Sequence, residues 1–175
     1  DVDQFQIFSF IYDLTYRLLK RDCDMLSGDL KYFELLKRTY PSIKAHSHEI
    51  GNRAYANMFA ADKEIKKLFN NTPPAQAQRL IDTVMLYCEE SDNFELLYGK
   101  LDNIAHIHIN HCVKNEYYPV MREAFTKALC ETLEISESSE LAYAWSYGFG
   151  RLSDELIHIE DLIRKHSTES ITEEA

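Results

Sequence analysis

Apolar side chains recur along this chain three and four residues apart, the spacing that gathers them on one face of an α-helix. Residues 4–22 show it first, with Ile7, Ile11, Leu14 and Leu18 in one stripe and Phe8 and Tyr12 beside it. Ser27-Gly28-Asp29 breaks the pattern and supplies a cap. Leu30, Phe33, Leu36, Tyr40 and Ile43 make the next stripe, and Pro41 within it predicts a bend or a tight local packing. Ser47 and Glu49 open a third helix through Ile50, Tyr55 and Phe59, and Asp62 caps a short piece ending at Phe69. Asn70-Asn71-Thr72-Pro73-Pro74 is the clearest loop. Gln76, Leu80, Val84 and Tyr87 then share a face of a helix over 75–90, which Ser91-Asp92-Asn93 ends. Further helices are predicted over 95–112, 115–133 and 140–165, the last anchored by Leu141, Trp145, Leu152, Leu156 and Ile159. Residues 166–175 are polar and acidic and predict a disordered tail. No segment alternates as a strand does, so the expected class is all-α with about eight helices.

Composition narrows this picture without changing it. The 175 residues suffice for one domain with a sizeable core, and 45% apolar content with only five glycines and four prolines suits a helical protein. A net charge of -10 argues against a nucleic-acid groove or an anionic membrane surface as partner. No apolar run approaches the roughly 18 residues that span a bilayer, and the first residues show no signal-peptide pattern. Cys23, Cys88, Cys112 and Cys130 are far apart, without a C-x-x-C pair. They read as reduced thiols of a cytoplasmic protein rather than as a zinc site. The chain opens at Asp1 rather than methionine, which reads as part of something longer.

The densest chemistry lies in Asn103-Ile104-Ala105-His106-Ile107-His108-Ile109-Asn110-His111-Cys112. Residues two apart on a helix point about 200° from each other, so His106 and His108 cannot share one ion. His108 and His111 share a face, but a protein-held metal usually takes three or four ligands. Spacing leaves three readings: a shared metal, one histidine on a cofactor, or three ordinary helix residues.

The ordered set Tyr55, Phe59, Phe69, Gln76, Leu80, His108, Tyr118-Pro119, Trp145 and Glu160 bears on that choice. So do Thr39-Tyr40-Pro41-Ser42-Ile43-Lys44, Tyr55-Ala56-Asn57-Met58-Phe59 and Glu64-Ile65-Lys66-Lys67-Leu68-Phe69. Ile104-Ala105-x-x-His108, Tyr118-Pro119-Val120 and Ala144-Trp145-x-x-x-Phe149-Gly150 complete it. In order and spacing these segments resemble a globin, of the flavohaemoglobin and single-domain bacterial haemoglobin lineage. The resemblance covers residues 29–165 and implies a three-over-three helical fold. Residues 1–28 would then be an extra N-terminal helical extension, and 166–175 the tail.

The resemblance implies haem b (iron protoporphyrin IX) as cofactor and His108 as the proximal ligand to iron, with His106 and His111 as non-ligands. Tyr118 and Glu160 would contact His108, which fixes a tautomer and makes the ligand more basic. On the distal side, Tyr55 would donate a hydrogen bond to bound oxygen, while Phe59, Phe69 and Leu80 line the pocket, Phe69 against the haem plane. The second distal residue is Gln76 when counted back from Thr83-Val84 and Arg79 when counted forward from Phe69. The first count is preferred, because Gln76, Leu80 and Val84 share a helical face and Arg79 is costlier to bury.

Three departures qualify the function. Ile107 stands where flavohaemoglobins carry lysine, Asn110 and His111 stand where small residues are common, and flavin and nicotinamide modules fall outside the matched region. The expected function is reversible binding of a diatomic gas (oxygen, nitric oxide or carbon monoxide), oxygen above all, at a five-coordinate ferrous haem. Enzymatic activity is left open, leaning against. The alternatives are a nitric oxide dioxygenase served by an external reductase, a gas sensor joined to an output domain, and a haem-free interaction module. A homodimer is a further expectation.

Overall fold

The computed structural model describes residues 30–69, 76–89 and 94–173. Among them run seven helices and no strand: α1 (Leu30–Ala45), α2 (Ser47–Ala61), α3 (Lys63–Leu68), α4 (Gln76–Glu89), α5 (Phe94–Asn110), α6 (Tyr117–Leu133) and α7 (Glu140–Glu173). The helix expected over 4–22 lies outside the described residues.

Local chemistry sets the boundaries. Asp62 is extended, at φ -139° and ψ 114°, and its carboxylate accepts from the Glu64 and Ile65 amides, capping α3 as its position suggested. Pro119 lies in the first turn of α6, where a backbone N–H has no helical partner to lose. α1 runs through Pro41 to Ala45 without a break. α7 corrects one expectation: it continues to Glu173 instead of ending near Lys165. Ser167, Thr168, Ser170 and Thr172 are weak helix formers, but no glycine or proline stands between Lys165 and Glu173 to stop a helix already nucleated.

Apart from the short α3, the helices form two layers, three over three. α2 packs on α6 and α4, α7 packs on α5, α1 and α6, and α1 reaches α4. Small residues permit the closest approaches. A Cβ at Gly51 would stand 2.7 Å from the Ala77 carbonyl oxygen, and one at Gly148 would stand 2.8 Å from Leu36 Cδ1. Trp145 is the largest fully buried side chain. Its indole donates to Thr39 Oγ1 at 3.0 Å, and Thr39 in turn donates to the Leu35 carbonyl at 2.7 Å, so α1 and α7 are joined by a satisfied polar contact inside apolar packing. Phe125 stacks beside Phe149 at 5.1 Å between centroids, tying α6 to α7.

Candidate functional site

α5 delivers the histidines and then stops abruptly. Cys112 adopts φ 55°, the Val113 amide donates to the His108 carbonyl at 2.9 Å, and the Cys112 amide donates to the Ile109 carbonyl at 3.0 Å. This is the Schellman arrangement, with cysteine in the left-handed position that glycine usually takes. It places His108 in the last turn of α5 and turns the chain toward α6, which starts with Tyr117 and Tyr118.

The three histidines separate as helical geometry requires. His106 faces outward, with Nδ1 2.9 Å from the Asp102 carbonyl oxygen and 3.5 Å from its carboxylate. His111 is exposed. His108 alone turns inward, with Nδ1 2.8 Å from Tyr118 Oη and 3.1 Å from Glu160 Oε1. Tyr118 Oη donates to the same Glu160 oxygen at 2.5 Å. Glu160 is fully buried, and Arg164, one turn later on α7, donates to its Oε2 at 3.1 Å.

These contacts assign the protons. A carboxylate only accepts, so the nitrogen facing Glu160 carries hydrogen and His108 is held as the Nδ1–H tautomer, with Nε2 the lone-pair nitrogen. Burial by itself would raise the Glu160 pKa. The hydrogen bonds donated by His108 and Tyr118, and the positive charge of Arg164, outweigh it and hold the carboxyl below its ordinary range. Burial, then the bond to Glu160, pushes the Tyr118 phenol far above the usual tyrosine value, so it stays a donor.

A second cluster gathers Tyr55 and Phe59, one turn apart on α2, with Phe69 just beyond α3. Tyr55 meets Phe69 edge to face at 5.3 Å and Phe59 edge to face at 5.6 Å, and Phe59 and Phe69 lie tilted at 5.3 Å. Leu80 is half-buried on α4 and packs on the core, and Arg79 beside it is exposed. Gln76 is the first residue of α4; its side chain lies outside the described residues. Arg164 is the site residue that sequence reading missed. Its signal was available: a glutamate followed four residues later by arginine on one helix.

The donor set fits haem. Among the described residues no group of three or more histidine, cysteine, aspartate or glutamate side chains is arranged to hold a metal ion. One oriented imidazole nitrogen suits an iron that brings its remaining ligands in a macrocycle.

Comparison with known proteins agrees in fold and sequence. The chain is 33% identical over 129 residues to a flavohemoprotein of Deinococcus radiodurans, covering 72% of this chain and 32% of that protein. A globin-like protein of Aquifex aeolicus is 31% identical over 126 residues, covering 72% of this chain and 89% of that one. The chain therefore spans about a third of the flavohemoproteins it matches and most of the Aquifex protein. A bacterial globin of Campylobacter jejuni superimposes with a TM-score of 0.69 at 24% identity, covering 77% of this chain and 98% of that one. The Globin family model matches residues 52–156, from α2 to Leu156 in α7. With the helices stacked three over three and His108 inward on α5, this chain belongs to the globin family.

Proposed function

We propose that this globin holds haem b through His108 Nε2 and reversibly binds a diatomic gas, oxygen first among them. One observation carries the reading: His108 Nδ1 is committed to Tyr118 and Glu160, which aims the opposite nitrogen as a ligand. The haem iron would supply an open coordination position for the gas. The chain's residues do the rest. Glu160 and Tyr118 keep the imidazole oriented and electron-rich. Tyr55 Oη would hold its proton toward the gas, with Gln76 as its polar companion. Phe59, Phe69 and Leu80 would exclude water from the same space. The absorption spectrum of the purified chain supplied with haem tests this: a Soret band is expected that His108→Ala abolishes. A band unaffected by that change would end the assignment.

A second reading draws on the relatives. Several are named flavohemoproteins and are about three times the length of the matched region. On this reading the globin would combine nitric oxide with dioxygen to give nitrate, with one electron per turnover supplied by a reductase acting in trans. Nitrate formation sustained over many turnovers by an added flavin reductase would select it over storage. A third role, gas sensing through residues 1–28 or an attached output domain, would show as ligand-dependent partner binding. We further assign residues 29–165 as the functional unit, in the cytoplasm. No helix among the described residues is long and apolar enough to cross a membrane.

A further inference from the structure

Arg164 closes the network around Glu160 on its solvent side. It lies one turn beyond Glu160 on α7, and its guanidinium bridges two carboxylates: Nη2 meets the fully buried Glu160 Oε2 at 3.1 Å, and Nη1 meets the exposed Asp161 Oδ1 at 3.2 Å. The Arg164 side chain is 40% exposed, whereas Glu160 is 0% exposed. The hydrogen-bonded chain that starts at His108 Nδ1 therefore extends to the surface at Arg164, through both oxygens of one carboxylate.

The two oxygens are not equivalent. Oε1 accepts from both His108 and Tyr118, and Oε2 accepts from Arg164. The terminal torsion of glutamate is broad and soft, so a carboxylate held on one edge alone can swing. Holding the other edge fixes the carboxylate plane and keeps Oε1 aimed at the imidazole. Arginine is well matched to this role, because its rigid fork can engage Glu160 and Asp161 together, which a point-charge lysine does less well.

We propose that Arg164 is a positioning residue for the proximal ligand, setting the donor strength of His108 through Glu160 from the protein surface. The proposal rests on the haem assignment to His108. It implies that a change at an exposed α7 position tunes the bond between His108 and iron. A binding partner or anion that captured the Arg164 guanidinium would act on the same bond.

Resonance Raman spectroscopy of the ferrous, haem-loaded full chain reads that bond directly through the iron–histidine stretch. Arg164→Gln should move the stretch to lower frequency in the direction of Glu160→Gln, and Arg164→Lys should restore it in part. Haem transfer to an acceptor apoprotein should quicken about tenfold in Arg164→Gln, in line with the loss of a residue that supports a metal ligand. Because Arg164 is partly exposed, the variant should keep its helix content, which circular dichroism checks. If Glu160→Gln shifts the stretch and Arg164→Gln leaves both stretch and haem transfer at wild-type values, the proposal is overturned while the haem reading stands. If His108→Ala retains the wild-type Soret band, the haem reading fails and takes this proposal with it. An equal shift of the stretch in the Lys and Gln variants would also count against it, since the rescue by retained charge would be absent.

Discussion

The two halves of the proposed site are built on opposite principles. The distal cluster, Tyr55, Phe59 and Phe69, comes from two neighbouring helices and the residue after them, and its members touch by ring edges. The proximal cluster, His108, Tyr118, Glu160 and Arg164, comes from three helices and is joined by hydrogen bonds and ion pairs. Ring contacts are tolerant of small shifts, and each pair contributes about 0.5–1.5 kcal/mol. A buried polar network is directional, and removing one member leaves the others unsatisfied. The proximal side should therefore respond to substitution sharply, and the distal side gradually.

The largest expected effect is His108→Ala, which removes the sole proposed protein ligand and should eliminate stable haem retention, as read by loss of the Soret band on gel filtration. Next comes Tyr118→Phe, which strips the 2.5 Å donor from a buried carboxylate. A lost hydrogen bond to a charged group should lower stability to denaturant by about 1.5–3 kcal/mol, and a cost under about 0.5 kcal/mol would place the network outside the stability-determining core. Tyr55→Phe should speed oxygen release about 10- to 100-fold without moving the iron–histidine stretch; an unchanged rate would remove Tyr55 from the ligand space. Phe69→Leu should cost about 1 kcal/mol of stability, as expected for edge-to-face ring contacts, and likewise leave the stretch unmoved. A large proximal shift in either distal variant would collapse the distinction between the halves.

Acidification provides a further separation. Glu160 has a folded-state pKa below its ordinary value of 4.5, so its contribution is fully present above that value and is lost as pH falls below it. The apo chain should lose stability between about pH 4.5 and the lowered folded value, and Glu160→Gln should flatten that segment of the profile. A profile unchanged in the variant would mean that the carboxylate is no better stabilised in the folded chain than in the unfolded one.

Much of this was legible in the residues themselves. The apolar stripe of α7 predicted Leu141, Trp145, Leu152, Leu156 and Ile159 as anchors; the last four are buried, and Leu141 is half-buried at the edge of the core. Helical geometry parted His106 from His108, and the resemblance then drew in Tyr118 and Glu160, both of which the fold brings to His108 Nδ1. The end of α7 was misjudged because polar side chains signal solvent exposure as readily as they signal a helix end. Arg164 was passed over because an acidic residue four positions before a basic one is, on most helices, a solvated surface pair of small consequence.

The helical class and the separation of His108 from His106 were determined by the sequence alone, because a 3.6-residue period is a local property that each stretch of chain carries unaided. The partnership of His108 with Glu160, 52 residues away, and the burial that gives the carboxylate its force were decided by the packing of α7 on α5 and α6. Periodicity states which face of a helix turns inward. Which inward faces meet, and which charges lose their water when they do, depends on distances across the fold that no local pattern contains.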